Sequence, residues 1–552
     1  MSFLNHIIIK FMVVQGHMSV RRMERMERSG RKTNERLLFS ILRRNRNCEF
    51  GKEHNFRNIH SIEEFRSCVP ISEYKDYDRA ISRMEQGQRN VLTSYSVRSF
   101  AKSSGSVGKI KRIPITRPHI NVYMRYTLTR ALALADIRHR ELYKRPLPSG
   151  KIFGALCSET RIVNGVRYSN VADLGARHLR FIYPYILTIP LRTLLPLEGN
   201  GFVYCYIRFS LAQENVSYFF TVFLSDCVYI MDYIDKNREM LLRDIGNGTI
   251  DESIDLEPSV RRYLEKKIKP LPQRAAFLRE EFEKGKDPGL VRRIWPKMQV
   301  YSAIGSATFY PYKHIVDSCA GNIWHDNLIY GASEGLFAAT DSLDSERYLL
   351  LADSCFYEFI PEGEENAAPL LLDELEVGKE YEIVITNQAG LYRYRIGDIV
   401  RILGYKGETP YLVFSRRRGE LINICGEKTT EEEMQHVIDL LGKESGCSIL
   451  NWAVCADDSD LVRCYMILVE NDRGKDLSVY SQWIHSQIAQ ANTRYADMSA
   501  FIGRAVILNQ MPGTHAQWRE QRLSNGTSAA QYKPVHILNT EEKREFFLSR
   551  TL

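Results

Sequence analysis

Along residues 390–401, apolar and aromatic positions alternate with arginines until the chain reaches Gly397-Asp398. Alternation at period two predicts a half-buried strand. Gly397 would turn the backbone, leaving Asp398 at the strand end. Segments 354–362, 379–386 and 410–424 also read as strands, so this part of the chain is a β-rich subregion. Residues 18–90 predict helices, with a break at Pro70, and 91–100 predict an extended segment. From 119 to 290, helical and strand-like pieces alternate. The stretches 202–210 and 218–229 are aromatic and apolar enough for core packing to be their default role. Residues 256–293 are charged and helical, a new strand begins at Ile294-Trp295-Pro296-Lys297-Met298, and another ends in Tyr330-Gly331-Ala332-Ser333-Glu334. Beyond Gly419 the character changes. A strand at 421–425, a helix from Thr430 to about Leu441, strands at 449–455 and 461–469, a helix at 478–491 and a strand at 504–509 make a separate unit. The expected class is α/β (α+β), with a large N-terminal domain over 1–419 and a small mobile C-terminal domain over 420–552.

Composition changes this picture little. Hydrophobic residues make up 44% and charged residues 26% of 552, as in a soluble globular protein. No apolar run reaches the roughly 18–20 residues needed to span a bilayer. The nearest, 181–197, carries Arg192 and is broken by Pro184, Pro190 and Pro196. The apolar N-terminus has Lys10 inside it and no basic region before it, which makes a poor signal peptide; Met18 is an alternative start. Eleven cysteines without a Cys-x-x-Cys pair suggest reduced thiols and a cytoplasmic protein. Much of the +8 net charge lies in 21–46. A nucleic-acid or membrane-surface arm is one reading of it. Interleaved Glu24, Glu27 and Glu35 and the apolar Leu37, Leu38, Ile41 and Leu42 favour an amphipathic helix instead, so neither nucleic acid nor membrane is expected as a partner.

Three stretches carry candidate chemistry. Ser103-Ser104-Gly105-Ser106-Val107-Gly108-Lys109-Ile110-Lys111 combines hydroxyls, glycines and lysines, as a phosphate-cradling loop requires, without Walker spacing. Tyr330 offers a face for a base, Ser333 a donor for phosphate and Glu334 a ligand for Mg²⁺. Asp398 is suited to two neighbouring hydroxyls such as those of a ribose.

These stretches, as SSGSVGKIKRIP, YGASEG and GLYRYRIGDIV, are followed by FSRRRGELINICGEKTTEE. In this order the pattern resembles the auxin-responsive (Gretchen Hagen) acyl-acid amido synthetases of plants and their bacterial-type relatives, within the adenylate-forming superfamily. IGSATFYPYKHIV and RDIGNGTI look similar too, and the resemblance extends over residues 50–540. It implies an adenylate-forming enzyme fold and ATP with Mg²⁺. It assigns Ser103, Ser104, Gly105, Ser106, Gly108 and Lys111 to the ATP phosphates, Tyr330 to adenine, Ser333 to the α-phosphate and Glu334 to magnesium. Asp398 falls to the ribose, Arg417 to the nucleotide, Gly419 to the hinge, and Lys533 to the reacting carboxylate and α-phosphate. Two departures stand out. The phosphate loop is one residue shorter than the family's pattern, with Val107 where a hydroxyl is common. Pro534-Val535-His536 stands where Pro-Arg follows the lysine.

The implied enzyme is a carbon–nitrogen ligase. It adenylates a carboxylic acid with release of pyrophosphate, then transfers the acyl group to an amino acid amine with release of AMP. Lys533 and Glu334 are its expected catalytic residues, and a monomer is expected. The alternatives are a ligase that makes a coenzyme A thioester and a non-catalytic nucleotide-binding homologue.

Overall fold

The computed structural model describes every residue except 1–2, 104–110, 156, 159, 170, 197–199, 306–311, 363, 365–366, 418–420, 458–462, 500 and 525–534. The chain divides into two compact units. The larger comprises Met1–Ser103 and Lys111–Arg416, and the smaller runs from Arg417 to Leu552.

The larger unit has two hydrophobic cores, each built on a sheet. The first sheet is parallel throughout, in the order Trp324–Asp326, Val300–Ile304, Val216–Phe223, Lys151–Gly154. Residues 216–221 are all buried, as expected of a strand covered on both faces. Helices Gly201–Leu211 and Leu224–Lys236 supply much of the cover, so the aromatic stretch at 202–210 is core, as its composition predicted. The strand expected from Ile294 begins only at Val300. The preceding helix runs to Ile294, and Pro296, lacking an N–H, sits in the turn that follows. The Trp295 indole there donates to the carbonyls of Ser210 and Gln213.

The second sheet has seven strands. Their order is Ile329–Ala332, Gly335–Ala339, Tyr348–Leu350, Thr409–Arg417, Tyr394–Lys406, Glu380–Thr386, Phe356–Pro361. The predicted β-rich subregion lies in it, with two corrections. Residues 391–393 precede the strand, because Asn387 folds the chain back by accepting from the N–H groups of Ala389 and Leu391. Asp398 lies inside the strand Tyr394–Lys406 and not at its end. Against Glu380–Thr386, Glu382 pairs with Ile399 while Val384 pairs with Arg395, so the strand carrying Asp398 has extra residues at that point. Gly397 sits there at φ +81, as a bulge requires.

The N-terminal helices complete this core. Asn34 of the helix Gly30–Asn45 donates to the carbonyls of Ala352 and Cys355, and Ser72 bridges to Tyr394. A further sheet pairs Lys111–Thr116 with Val97–Ser103.

In the smaller unit, Ile449–Ala456 pairs antiparallel with Tyr465–Asn471, which pairs parallel with Val506–Asn509. Side chains alternate as period two demands: Trp452 and Val454 join one core, with helices Glu431–Ser445 and Ser481–Ala491. Ala453 and Cys455 join another, with Trp518 and Phe547. The expected strand at 421–425 is short, Leu421–Ile422, because the buried carboxylate of Glu427 draws the N–H groups of Ile424 and Cys425 into a turn. The described cysteines are free thiols, and nearly all are buried.

Candidate active site

The site grows from the hairpin of strands Ile329–Ala332 and Gly335–Ala339. One guanidinium holds both of its ends. Arg130, fully buried, donates to Thr340 O (2.6 Å), to Leu328 O (3.0 Å) and to Asp326 Oδ1 (2.8 Å). Leu328 adopts φ +50 at the entry to the hairpin. A buried charge so fully paired is costly to disturb, which makes the hairpin a fixed platform.

Tyr330 points its hydroxyl at Asp398 Oδ2, 2.9 Å away, and both residues are buried. Its ring packs 5.5 Å from Phe337 and 5.9 Å from Phe414. The turn between the two strands holds Ser333, half-buried, and Glu334, 1% exposed. Asn387 donates to the Glu334 carbonyl at 2.8 Å.

Among the described residues the Glu334 carboxylate meets one side-chain donor, Tyr394 Oη, at a long 3.4 Å. The same Tyr394 Oη accepts from Lys111 Nζ, also at 3.4 Å. Lys111 Nζ lies 6.0 Å and 5.9 Å from the ring centres of Tyr74 and Tyr394, within cation–π range. An ammonium and a carboxylate thus stand either side of one phenol.

Tyr394 is held in turn. Ser72 N donates to Arg393 O and Arg395 N to Ser72 O, each at 2.9 Å. Arg393 adopts φ +45, which is uncommon for a side chain of its size. Its guanidinium forks onto both Glu358 oxygens at 2.9 and 3.0 Å and caps the carbonyls of Arg66 and Val69. The arginines that alternate with apolar positions here are therefore paired. Arg393 meets Glu358 and Arg395 meets Glu382, both acids borne by neighbouring strands.

Among the predicted residues, the structure brings Tyr330 to Asp398, and Lys111 to Glu334 through Tyr394. Ser103 pairs with Lys111 across a ladder, so the seven residues between them join adjacent strand ends. The side chains of Ser103 and Arg417 lie outside the described residues, as do Ser104, Gly105, Ser106, Gly108, Gly419 and Lys533. Sequence reasoning passed over Tyr394, Asn387 and Arg130. Of these only Asn387 carried a signal, as an Asx residue opening a turn before Gly390. A separate cavity of about 400 Å³ is lined by Phe50, His54, Ser72 and Tyr77 among others, and holds none of the predicted residues.

No group of three or more metal-ligating side chains occurs among the described residues. Glu334 nevertheless fits a magnesium ion, which usually takes one or two protein carboxylates and completes its shell with phosphate oxygens and water. The carboxylate is buried and lightly bonded, with an ammonium close by for the phosphates.

Three family models match in chain order: GH3 family N-terminal domain over residues 19–324, GH3 family central domain over 348–417 and GH3 family C-terminal domain over 432–542. The chain is 27% identical to the probable indole-3-acetic acid-amido synthetase GH3.1 of Arabidopsis thaliana, over 97% of this chain and 93% of that protein. It is 28% identical to the indole-3-acetic acid-amido synthetase GH3.8 of Oryza sativa subsp. indica, over 90% and 87%. Among solved structures, the acyl acid amido synthetase AtGH3.15 in complex with 2,4-DB superposes with a TM-score of 0.66 at 20% identity, over 97% of this chain and 96% of that one. A 2-hydroxyisobutyryl-CoA ligase in complex with 2-HIB-AMP and CoA gives a TM-score of 0.53 at 11% identity, over 94% and 91%. These likenesses give the fold of adenylate-forming enzymes, and the three consecutive family matches establish the rest: the chain belongs to the GH3 family.

Proposed function

We propose that this protein is an ATP-dependent acyl-acid amido synthetase. The observation that carries the reading is the Lys111–Tyr394–Glu334 arrangement beside the Tyr330–Asp398 pair. It offers a cation for phosphate oxygens, a carboxylate for magnesium and a second carboxylate for ribose hydroxyls, all in one unit. The relatives' names support the same reaction class.

In the first step a substrate carboxylate oxygen attacks the α-phosphorus of ATP. The bond to the bridging oxygen breaks, and pyrophosphate leaves with the electron pair. Lys111 neutralises phosphate charge, and Asp398 holds the ribose so that the α-phosphate lies in line. Glu334 would hold the magnesium ion, which screens the phosphate oxygens when bound. Lys533, on the smaller unit, is assigned to the carboxylate and the α-phosphate as charge gathers there. In the second step an amino acid amine attacks the acyl carbonyl, AMP departs with the bonding electrons, and the amine's proton passes to solvent. Tyr330 serves as the adenine platform, with Ser333 and the Ser103–Gly108 hydroxyls and N–H groups on the phosphates, and Arg417 beside the nucleotide. The reading includes a cytoplasmic monomer. No helix among the described residues is long and apolar enough to cross a membrane.

The test is pyrophosphate release by purified protein with ATP, magnesium, a panel of carboxylic acids that starts with indole-3-acetic acid, and amino acids. Mass spectrometry would identify the products. Acid-dependent pyrophosphate with an amide supports the proposal. A thioester formed with coenzyme A and no amide replaces it with the ligase alternative. ATP binding without turnover leaves a nucleotide-binding homologue.

A further inference from the structure

The helix Phe3–Glu27 lies half sunk in the larger unit. Its inner seam is Asn5, Ile9, Met12, Gly16, Ser19, Met23 and Met26. Asn5 donates to the carbonyls of Gly150 and Tyr185, and a Cβ on Gly16 would meet Thr129 O at 1.8 Å. The face turned inward is therefore fixed.

The outer face follows the same alternating three- and four-residue step. Leu4, Ile7, Phe11, Val14 and Met18 are exposed, with Phe11 at 62% and Met18 at 60%. The step then continues through Arg21 and Arg25, also exposed, and exposed Arg28 follows in the turn just beyond the helix. Lys10 is exposed beside the apolar part, and no acid occurs between Phe3 and Met23. The three arginines form no ion pair among the described residues. Single exposed apolar side chains are ordinary, but a contiguous stripe that runs into a row of cations without ion pairs among the described residues marks a contact surface.

We propose that this face docks on an anionic lipid surface. Ile7, Phe11, Val14 and Met18 would enter the boundary between headgroups and acyl chains, while Arg21, Arg25 and Arg28 face anionic headgroups. The chemistry is that of an interfacial helix, whose apolar face sinks about 5–10 Å and whose basic residues add electrostatic attraction. Charge decides against a second copy of the chain as occupant. A partner seam laid on this one offers no acid before Glu24 to meet the arginines. The proposal departs from the sequence-based expectation of no membrane partner. It stands independently of the catalytic reading.

The test is flotation of the full chain with two vesicle types: phosphatidylcholine alone, and phosphatidylcholine with about 30 mol% phosphatidylserine, the latter giving the negative surface potential the arginines need. The protein should float with the anionic vesicles at low salt and remain behind with the neutral ones. Raising the salt to about 0.5 M should reduce binding about tenfold or more, because the attraction falls off within a Debye length. Ile7→Ser with Phe11→Ser, and separately Arg21→Glu with Arg25→Glu, should each reduce partitioning about tenfold or more with the melting temperature unchanged. Absence of flotation at low salt overturns the proposal, as does full binding by the Ile7→Ser/Phe11→Ser protein. A concentration-dependent dimer that this same variant abolishes, without flotation of the wild type, overturns it in favour of self-association.

Discussion

The Tyr330 hydroxyl reaches Asp398 across 2.9 Å although three strands separate theirs in the seven-stranded sheet. In a flat sheet four strand spacings would hold the two backbones roughly 19 Å apart, beyond the combined reach of the side chains. The sheet must curl to let them meet, and the curl sets the acid on a concave surface beside an aromatic ring.

Asp398→Ala should therefore weaken ATP binding by about 1.5–3 kcal/mol, the range for hydrogen bonds to a charged group, and leave affinity for the acid unchanged. Tyr330→Phe removes one donor to that carboxylate and should cost less. Calorimetric titration with ATP checks both. Unaltered ATP affinity in a folded Asp398→Ala protein would remove the ribose role.

Glu334→Gln keeps the shape of the turn and its backbone bond to Asn387, and removes only the charge. The magnesium concentration for half-maximal pyrophosphate release should rise about tenfold or more. Tyr394→Phe should instead lower the rate with the magnesium requirement little changed, since Tyr394 orients both charges without binding the ion. Normal magnesium dependence of Glu334→Gln would reduce the residue to a turn acid.

Lys533→Ala should cut acid-dependent pyrophosphate release by about a hundredfold or more, the scale of losing one electrostatic stabiliser of a transition state. ATP binding should survive, because the interaction strengthens only as charge accumulates. A pre-made acyl-adenylate should restore amide formation. Failure of that rescue, or a normal rate of adenylate formation, would refute the role, with Pro534-Val535-His536 the first departure to examine.

His119 lies buried in the helix Arg117–Tyr126 with no hydrogen-bond partner for Nε2 among the described residues, and burial pushes its imidazole down to about 4. Its folded value is thus below its unfolded one. The folded state gains most when the ring is neutral, and that gain is lost as pH falls from about 6.5 towards 4, by ~3 kcal/mol for a shift of this size. Urea melts of the wild type and of His119→Leu at pH 7.5 and 4.5 check it. The variant's pH dependence should be flatter, and equal slopes would refute the assignment.

Family and reaction were legible in the sequence because their signals are local. Ser103 to Lys111, Tyr330 to Glu334 and Arg395 to Asp398 are short runs whose residue types suffice. The network around Tyr394 was not legible, since its partners lie at Ser72, Lys111 and Glu334 and nothing along the chain announces their meeting. The pairing of Arg393 and Arg395 with Glu358 and Glu382 was not legible either, since those acids lie on two other strands. Asp398 was expected at a strand end because Gly397 signals a break. A bulge meets the same backbone demand while the ladder continues. On the helix Phe3–Glu27 both faces are largely apolar, so periodicity could not tell the buried seam from the open one.

The bonds from Asn34 to Ala352 and from Ser72 to Tyr392 close across more than three hundred residues. A ribosome adding roughly 5–20 residues each second would take on the order of 15–60 s between making the first partner and the second. Through that interval the helix Gly30–Asn45 lacks the strand Phe356–Pro361 against which it packs. The order of synthesis, and not the strength of any one contact, decides when the core of the larger unit can close.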